Sequence, residues 1–397
     1  MTSQFRIRIA PSIRGIDARQ WDSCANPDAA DITPVQEEPQ DERFNPFISH
    51  AFLAALEDSG AVGHGSGWLP THVLVEDSAG RLLAAAPTYL KAHSMGEYVF
   101  DHAWADAYER AGLDYYPKLQ VAVPFTPATG RRLLVAPGGG EEARAALILG
   151  LRQWREQAQA SSIHVTFPTK AEWLALGEAG FLRRTGQQFH FVNQGYSSFE
   201  DFLSDLASRK RKMIRRERKD ALTDGITIET LTGADIGEAH WDAFFKFYMD
   251  TGARKWGRPY LNRRFFSEIG KSLGPHILLV MAKRGGRYIA GALNLIGRDA
   301  LYGRYWGAIE EHPFLHFEVC YYQAIDYAIA HKLKRVEAGA QGEHKLARGY
   351  VAVTTYSAHD IADARFATAI DDYLARERLA IDEQLAEYTE LAPFKKS

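Results

Sequence analysis

The order of predicted secondary structure, which is the same in both halves of the chain, constrains the fold most. Each half is predicted as a helix, a two-stranded hairpin, a strand, a helix, a strand, a helix or loop, and a last strand. No repeat of individual residues accompanies this order. A structural duplication joined near residues 193–198 explains the pattern most simply. The predicted domains are therefore residues 1–195 and 196–397.

Local signals locate elements of the first half. His72–Glu76 and Leu82–Tyr89 are rich in β-forming residues and flank a four-residue turn, which predicts a hairpin. Glu141–Gln159 carries apolar residues at helical spacing and predicts a helix. Residues 22–43 are acidic and contain proline, which predicts a surface loop.

The second half opens with a helix signal. Ser197 and Glu200 have the spacing of a capping box, which predicts the start of one long helix over residues 199–223. Pro313 suits the first turn of another helix. Residues 369–390 place apolar side chains at helical spacing, which predicts a C-terminal helix.

Composition narrows the class of protein. The 397 residues are 46% hydrophobic and 24% charged, which is typical of a folded protein with a large core. Lys and Arg number 47 against 50 Asp and Glu, so the net charge is −3 and any polyanion must be bound by a local patch. Two cysteines cannot form a disulfide framework, and no stretch has the length of a signal peptide or a membrane span. We expect a cytoplasmic protein with no transmembrane segment.

Three groups of residues carry a resemblance to a known family. They are FDHAWA at 100–105, GRYWG at 303–307 with LHFEVCYY at 315–322, and EAGAQGEHKLARGY at 337–350. With the order of elements, they resemble the FemAB-like branch of the GNAT acyltransferases, in a bacterial family of peptidoglycan biosynthesis or recognition proteins. The resemblance covers nearly the whole chain. It implies an α/β (α+β) fold of tandem duplicated GNAT-like domains with mixed, mostly antiparallel sheets flanked by helices.

The resemblance also implies an activity and one site residue. FemAB-like enzymes attach amino acids from aminoacyl-tRNA to peptidoglycan precursors, and the Lys of their Phe-Lys-x-x-Phe-Gly turn contacts a substrate phosphate. Residues 344–349 keep the Lys-to-Gly spacing, so Lys345 is implied as that contact. The sequence lacks the coiled-coil hairpin that grips tRNA and the usual coenzyme A loop. Gly138–Gly140 precedes Glu141 and Glu142, which favour a simple turn over a phosphate site.

The predicted helix 199–223 contains a dense row of basic residues. Residues 209–219 read RKRKMIRRERK, and Arg211, Arg215 and Arg218 share one face. In a chain of net charge −3, this row favours a polyanion contact over a merely solvated face. The anion is tRNA, a nucleotide-linked substrate, coenzyme A or anionic lipid. Arg211 and Arg215 are predicted contacts.

The glycine-rich segment 339–349 is the predicted centre of the site. Glu343, His344, Lys345 and Arg348 are costly to bury without partners, so they form either a site or a salt-bridged turn. A site is favoured, with Lys345 and Arg348 on phosphate and Glu343 or His344 near the acceptor.

The helix after Pro313 contributes an alternative base. Glu318 lies near its start, where it could deprotonate an amine, and Tyr321 or Tyr322 could supply a phenol as acid. No HExxH pattern is present, and we predict no metal.

Further contacts are predicted in both halves. Asp101 and Trp104 lie in an aromatic-rich segment that suits an amine or peptide acceptor, or equally a capped aromatic core, with Asp101 as a catalytic candidate. Lys255-Trp256 begins a basic-aromatic loop that could bind a base and a phosphate, or equally pack as a proline turn. Arg304 and Tyr305 complete the predicted substrate contacts.

These observations predict an acyl or aminoacyl transferase that forms an amide on the amine of a small molecule or peptide resembling a peptidoglycan precursor. The co-substrate is aminoacyl-tRNA or acyl-CoA, and no cofactor is tightly bound. Catalysis would come from holding the substrates in position and from backbone groups that stabilise the tetrahedral oxyanion. P-loop, Rossmann and nucleophile-elbow patterns are missing from the sequence, which disfavours NTPases, dinucleotide oxidoreductases and hydrolases. The alternative is a non-catalytic module that binds cell-wall precursors or anionic ligands.

Overall fold

The computed structural model describes residues 5–27, 44–256, 259–339 and 342–395. The chain divides into two compact units, unit 1 (1–186 and 354–382) and unit 2 (187–353 and 383–397). These units differ from the predicted domains, because residues 354–382 belong with the first unit. The division into domains at residue 195 stays a prediction.

Twelve α-helices are present in the described parts of the chain. They are α1 (Ala18–Ala25), α2 (His50–Asp58), α3 (His102–Arg110), α4 (Gly140–Gln157), α5 (Lys170–Glu178), α6 (Phe199–Asp205), α7 (Ser208–Ala221), α8 (Glu238–Trp256), α9 (Arg263–Leu273), α10 (Leu315–Phe317), α11 (Gln323–Ala330) and α12 (Ala364–Glu390). A π-helical turn (Glu318–Tyr322) joins α10 to α11, and a 3₁₀ turn covers Glu343–Arg348. Residues 22–25 lie in α1, so the predicted acidic loop is wrong there, and 28–43 lie outside the described residues.

The strands follow in chain order. They are β1 (Arg6–Ala10), β2 (Trp68–Pro70), β3 (His72–Glu76), β4 (Leu82–Ala86), β5 (Thr88–Lys91), β6 (Lys118–Val121), β7 (Leu134–Val135), β8 (Ser162–Thr166), β9 (Leu182–Val192), β10 (Ile226–Thr232), β11 (Ile277–Arg284), β12 (Arg287–Ile296), β13 (Ala300–Ala308), β14 (Arg335–Glu337) and β15 (Val351–Ile361).

Unit 1 contains two sets of paired strands. One is the antiparallel sheet β1-β3-β4-β7. The other has the order β2-β5-β6-β8-β15, in which only β6 and β8 are parallel. Strand residues such as Leu119, Ile163 and Val165 pack into an apolar core with Leu147 and Leu151 of α4. Side chains alternate along a strand, so the opposite face of β5-β6-β8-β15 carries a separate set of residues.

Unit 2 is built on a meander. Strands β10-β11-β12-β13 pair antiparallel, β13 then pairs parallel with β14, and β14 pairs antiparallel with β9. The parallel pairing covers only Ala300–Tyr302 against Arg335–Glu337, although β13 continues to Ala308. The parallel pairing therefore ends where β14 ends, at Glu337 opposite Tyr302.

The predicted basic helix 199–223 is two helices. Leu206, between α6 and α7, has an extended backbone (φ −81°, ψ 153°) and forms a bridge with Phe394, while the N–H of Ala207 donates to the carbonyl of Pro393 at 2.9 Å. This pairing with the chain terminus interrupts the helix. The cap is Ser198, which accepts from the N–H of Asp201, rather than Ser197.

The predicted C-terminal helix is confirmed and begins earlier, at Ala364. None of the helices in the described ranges is both long enough and apolar enough to cross a membrane.

Candidate active site

The glycine-rich segment folds as a tight turn in unit 2. The 3₁₀ turn Glu343–Arg348 lies between Gly342 and Gly349, both with positive φ. At Gly349 (φ +88°) a Cβ atom would lie 2.4 Å from the Phe202 ring, so both backbone conformation and packing require glycine. We call this turn, together with residues 315–330, the candidate site.

Lys345 is buried within the turn. Its Nζ donates to the carbonyl oxygen of Gly339 at 3.1 Å, and the residue is 1% exposed. Burial lowers the pKa of the Lys345 amine to about 8. The predicted phosphate contact stays a prediction, and it would require the amine to exchange its bond to Gly339.

Arg348 holds the turn against helix α7. Its Nε and Nη2 donate to the two carboxylate oxygens of Glu217 at 3.1 and 2.8 Å, and its guanidinium lies 3.4 Å from the centre of the Phe317 ring. Tyr322 also donates to Glu217. Arg348 and Glu217 are both buried, so they form a desolvated bidentate ion pair.

Glu318 is also held by α7. The fully buried carboxylate accepts from Arg218 at 2.9 and 3.1 Å and from the Gln323 amide at 2.7 Å. Arg218 contacts Asp326 as well, at 2.7 Å. Both oxygens of Glu318 are thus engaged, and its predicted role as a base is untested.

An imidazole and two phenols meet at the candidate site. The Tyr321 hydroxyl lies 3.0 Å from Nε2 of His344, and the Tyr321 ring packs edge-on against Tyr350 at 5.5 Å. Burial raises the pKa of both tyrosines well above the usual value, so both hydroxyls remain protonated. Among the residues that the structure describes, the buried Tyr350 hydroxyl has no hydrogen-bond partner. Sequence reasoning did not select Tyr350, whose only signal is its place after the glycine that ends the turn.

The exposed Glu343 is fixed by the C-terminal helix. Its carboxylate accepts from the hydroxyl of Tyr388 on α12 at 2.6 Å. This hydrogen bond raises the pKa of Tyr388. The contact positions one side of the turn, while the predicted catalytic role of Glu343 is untested.

Helix α7 presents basic side chains outward. Arg215 pairs with Glu200 and Arg216 with Asp220, whereas Arg211 donates only to the carbonyl of Ser204 at 3.3 Å. Arg218 pairs with Glu318, and Arg211, Arg215 and Arg218 share one face of the helix as predicted. Five basic side chains form no salt bridge within the described chain: Arg209, Lys210, Arg211, Lys212 and Lys219.

The remaining predicted contacts of unit 2 lie elsewhere. Lys255 and Trp256 belong to the last turn of α8, so the prediction of a loop is wrong for these two residues. Arg304 occupies a bulge in β13, and its guanidinium lies 5.1 Å from the Tyr305 ring. Tyr305 packs edge-on against Tyr248.

The predicted acceptor wall of unit 1 contains a buried polar layer. Asp101 precedes α3 and is paired with Lys118, while its Oδ2 accepts from Tyr115 at 2.6 Å. Its Oδ1 is buried and has no hydrogen-bond partner in the described ranges. Although burial opposes ionisation, the charges of Lys118 and His164 keep the pKa of the Asp101 carboxyl well below its usual value. Asp101 is therefore a fixed negative charge.

The polar layer extends across four strands. Lys91 and Lys118 lie opposite each other on β5 and β6, each with Nζ 3.4 Å from the same oxygen of Glu97. Farther along the same face, Nδ1 of His164 on β8 lies 2.8 Å from Nδ1 of His359 on β15. Trp104 packs over this histidine pair, with its ring centre 4.9 Å from His359 and 5.9 Å from His164. Sequence reasoning selected Asp101 and Trp104 but missed both histidines.

The glycine turn before α4 is packed rather than open. A Cβ atom on Gly139 would lie 2.8 Å from the carbonyl oxygen of Leu83, so close backbone approach requires this glycine. A surface cavity of about 360 Å³ lies next to this turn and is lined partly by Arg19, Gln20 and Arg81. It involves none of the predicted site residues.

The chain is similar to proteins of one known family. Residues 12–396 match the FemAB-like family, described as peptidoglycan biosynthesis/recognition. Among curated proteins, no sequence matches the chain.

Three solved structures are similar in fold. The crystal structure of FemX is 12% identical, has a TM-score of 0.53, and the alignment covers 90% of this chain and 98% of FemX. The C-terminal domain of a putative lysylphosphatidylglycerol synthetase from Agrobacterium fabrum is 9% identical (TM-score 0.53; 91% and 96% covered). L-PGS from Bacillus licheniformis is 10% identical (TM-score 0.50; 85% and 98% covered). With mixed sheets flanked by helices in both units, these findings confirm the predicted fold class.

Proposed function

The chain belongs to the FemAB-like family of peptidoglycan biosynthesis or recognition proteins, and from that premise we propose that it is an aminoacyltransferase. The donor is aminoacyl-tRNA, and the acceptor is an amine of a peptidoglycan-precursor-like molecule. The product is an amide.

The position of helix α7 carries this proposal. The exposed basic residues Arg209, Lys212 and Lys219 share one outer face of α7 and form no salt bridge in the described chain, while Glu217 and Arg218 hold the candidate site through Arg348 and Glu318. A polyanion bound on the outer face would lie beside the elements that carry Tyr321 and His344. A tRNA offers a phosphate at every nucleotide, which suits this row better than the few phosphates of coenzyme A.

The chemistry requires two proton movements. The acceptor amine loses one proton to water as its nitrogen attacks the ester carbonyl, and the leaving ribose oxygen gains one as the ester bond breaks. We assign the second to the Tyr321 hydroxyl, with His344 at 3.0 Å returning a proton to the phenol. The unpartnered Tyr350 hydroxyl supplies a hydrogen bond for the oxyanion. The positive charge of the Lys345 amine stabilises negative charge that develops on a bound substrate. Arg348 acts indirectly, because its ion pair with Glu217 fixes the turn that carries Lys345.

Asp101 and Trp104 are assigned to the acceptor. The Oδ1 of Asp101 is buried, charged and unpartnered, so it accepts from a ligand N–H. Because the pKa of this carboxyl is so low, Asp101 would accept a hydrogen bond from a ligand N–H rather than take its proton. Trp104 provides an aromatic surface beside it.

The test combines donor binding with transfer. We expect R209Q/K212Q to weaken tRNA binding and to reduce the slope of log K against log salt by about 1.5, since each lost phosphate contact removes about 0.7–0.9. The matched control is R264Q/K271Q, which removes two exposed basic residues from α9. Transfer is followed with labelled aminoacyl-tRNA and a UDP-linked pentapeptide precursor.

Three results would contradict the proposal. RNase-resistant transfer from acyl-CoA would make the protein a conventional acyltransferase. Binding of the precursor without transfer from either donor would support a recognition module. An equal effect of the α7 and α9 variants on tRNA binding would remove α7 as the donor surface.

A further inference from the structure

The surface cavity of unit 1 has walls from three elements. Helix α1, the start of strand β4 and the turn before α4 supply the residues that line its volume of about 360 Å³. This volume lies at the lower end of the range for sites that bind small molecules. The cavity contains no predicted site residue, and the proposed transfer reaction does not use it.

Hydrogen bonds between the three elements hold the walls in place. The side-chain oxygen of Gln20 on α1 accepts from the backbone N–H of Leu82 at 2.8 Å. The backbone N–H of Ala136 donates to the carbonyl oxygen of Leu83 at 2.9 Å, which attaches the turn to β4. Because both outer walls are tied to the same strand, a ligand can bind without first ordering the cavity.

The polar part of the lining consists mainly of hydrogen-bond donors. Arg19 is exposed and forms no ion pair with the residues that the structure describes. Arg81 is paired with Asp77 at 3.1 Å. The side-chain oxygen of Gln20 is already engaged, so its amide group offers only N–H donors to a ligand. Since none of the lining residues is acidic, the cavity has one uncompensated positive charge, which is suited to a single oxyanion.

The rest of the lining is apolar. It is formed by Leu82, Leu83, Ala136 and Pro137. Moving an apolar group from water onto such a surface is favourable, so the oxyanion should be attached to an apolar body. A carboxylate brings one negative charge and matches the uncompensated charge of Arg19. A phosphate monoester brings about two and exceeds it.

We propose that this cavity binds a small monocarboxylate with an apolar body, and that Arg19 holds the carboxylate. An amino acid fits poorly, because its ammonium group would lie beside the positive charges of Arg19 and Arg81. The Gln20 side-chain oxygen and the Leu83 carbonyl, which could accept from that group, are already engaged. No bond forms or breaks at this site, and the proposal does not depend on aminoacyl transfer.

Four probes test the class of ligand on the full-length protein. 3-Phenylpropanoate has the predicted charge and body, 3-phenylpropanamide lacks the charge, and L-phenylalanine adds an ammonium group. Phenyl phosphate carries about two negative charges at neutral pH. In calorimetric titrations at low ionic strength, 3-phenylpropanoate should bind about 10-fold more tightly than the amide and the amino acid, as expected for one hydrogen-bonded charge. It should also bind more tightly than phenyl phosphate.

Two variants separate the charge from the apolar wall. R19Q should bring the ratio of 3-phenylpropanoate to amide binding close to one. The matched control is R110Q, which removes an exposed arginine of α3 outside the lining and should leave this ratio unchanged. S23F adds a ring at an exposed lining position of α1 and should abolish binding of both compounds. Urea unfolding shows whether each variant is folded, which is expected because all three positions are exposed.

Several results would overturn the proposal. They are equal binding of 3-phenylpropanoate and the amide by the wild type, binding of neither, and tighter binding of phenyl phosphate or L-phenylalanine. An equal effect of R19Q and R110Q would also overturn it, since overall charge would then explain the preference. A preference that R19Q removes, together with loss of binding in folded S23F, supports the proposal whether or not the protein transfers amino acids.

Discussion

Two buried ion pairs connect α7 to the candidate site, and the Arg348–Glu217 pair is the more completely desolvated of the two. Arg348 and Glu217 share two hydrogen bonds, and their side chains are 8% and 6% exposed. Such a pair adds little to stability compared with apolar residues of similar size in the same positions. Loss of one member is costly, because the other charge then stays buried without a partner. The pair therefore fixes the geometry of the turn more than it adds to overall stability.

Replacing one member of this pair should be severe. We expect R348M to lower the free energy of unfolding by about 3–5 kcal/mol, because Glu217 would remain charged and unpaired. The double variant E217L/R348M should lose less than R348M alone. Urea unfolding measures both, with R216Q as the control, since Arg216 is 81% exposed and should change stability by less than about 0.5 kcal/mol. A double variant as unstable as the sum of the singles would contradict this account.

Lys345 should make stability depend on alkaline pH. Its pKa is about 8 in the folded protein against 10.5 for an ordinary lysine side chain, so the unfolded chain binds more protons between these values. The Lys345 contribution to the free energy of unfolding therefore rises with pH from about 8 to 10.5, by up to about 3 kcal/mol. The measurement is urea unfolding at pH 7.5 and pH 10 for the wild type and K345M. If the free energy of unfolding changed equally between the two pH values in the wild type and in K345M, burial of the Lys345 amine would not be the cause.

Sequence reasoning found the residue types of the site but not their partners. The charged members of the 342–349 turn are adjacent in sequence and cannot be buried cheaply, so they were predictable. Glu217 lies 131 residues from Arg348, and no local pattern pairs them. Tyr350 is distinguished by what it lacks among the described residues, a hydrogen-bond partner, which only the folded chain reveals.

At the scale of elements, local patterns were sufficient where tertiary contacts agree with them. Strand β3 has the predicted bounds, 72–76, and helix α4 covers Gly140–Gln157 where residues 141–159 were predicted. The break between α6 and α7 was not predictable, because its cause is a hydrogen bond from Ala207 to Pro393. The polar layer was also missed, since alternation in a strand normally predicts one apolar and one solvated face, and here both are buried.

The histidine pair of this layer should make unit 1 sensitive to acid. Burial lowers the pKa of His164 to about 3. Burial together with His164 lowers the pKa of His359 well below its usual value, with Arg184 and Lys118 opposing protonation and Asp101 favouring it. The unfolded chain takes up protons below about pH 6.5, whereas the folded pair does not. Stability conferred by neutral histidines is therefore lost as pH falls from 6.5.

The magnitude follows from this window. Between pH 7 and pH 5 we expect a loss of about 2 kcal/mol for each histidine in the free energy of unfolding. The H164L/H359L variant should be less stable than the wild type at pH 7. Between pH 7 and pH 5, however, its free energy of unfolding should fall by about 4 kcal/mol less than that of the wild type. Urea unfolding at the two pH values gives the comparison. An equal acid response in the double variant would show that other groups control it.

At the scale of the whole molecule, unit 1 is discontinuous in sequence. It needs residues 354–382, because β15 pairs with β8 from Ser357 to Ile361 and because Ile370 and Leu374 of α12 pack against Trp104 and Tyr108. The predicted N-terminal domain, 1–195, contains none of these residues. The repeat of predicted elements suggested that each half folds by itself, but hydrogen bonding within unit 1 extends to the C-terminal part of the chain.

A fragment of residues 1–195 should therefore fail to form the native first unit. Without β15, strand β8 loses an antiparallel partner and His164 loses His359, so Nδ1 of His164 and backbone groups of β8 lose their hydrogen bonds. Removing Ile370 and Leu374 also exposes the apolar side of α3. A second fragment, in which residues 354–382 follow residue 186 through a flexible Gly/Ser linker, restores both contacts and should unfold cooperatively in urea. Hydrogen exchange at Ile163 and Val165 distinguishes the two, with protection expected only in the second. Cooperative unfolding of 1–195 with protected β8 amides would instead establish the predicted domain boundary, since a sheet edge and a bare helix face would then suffice for an independent fold.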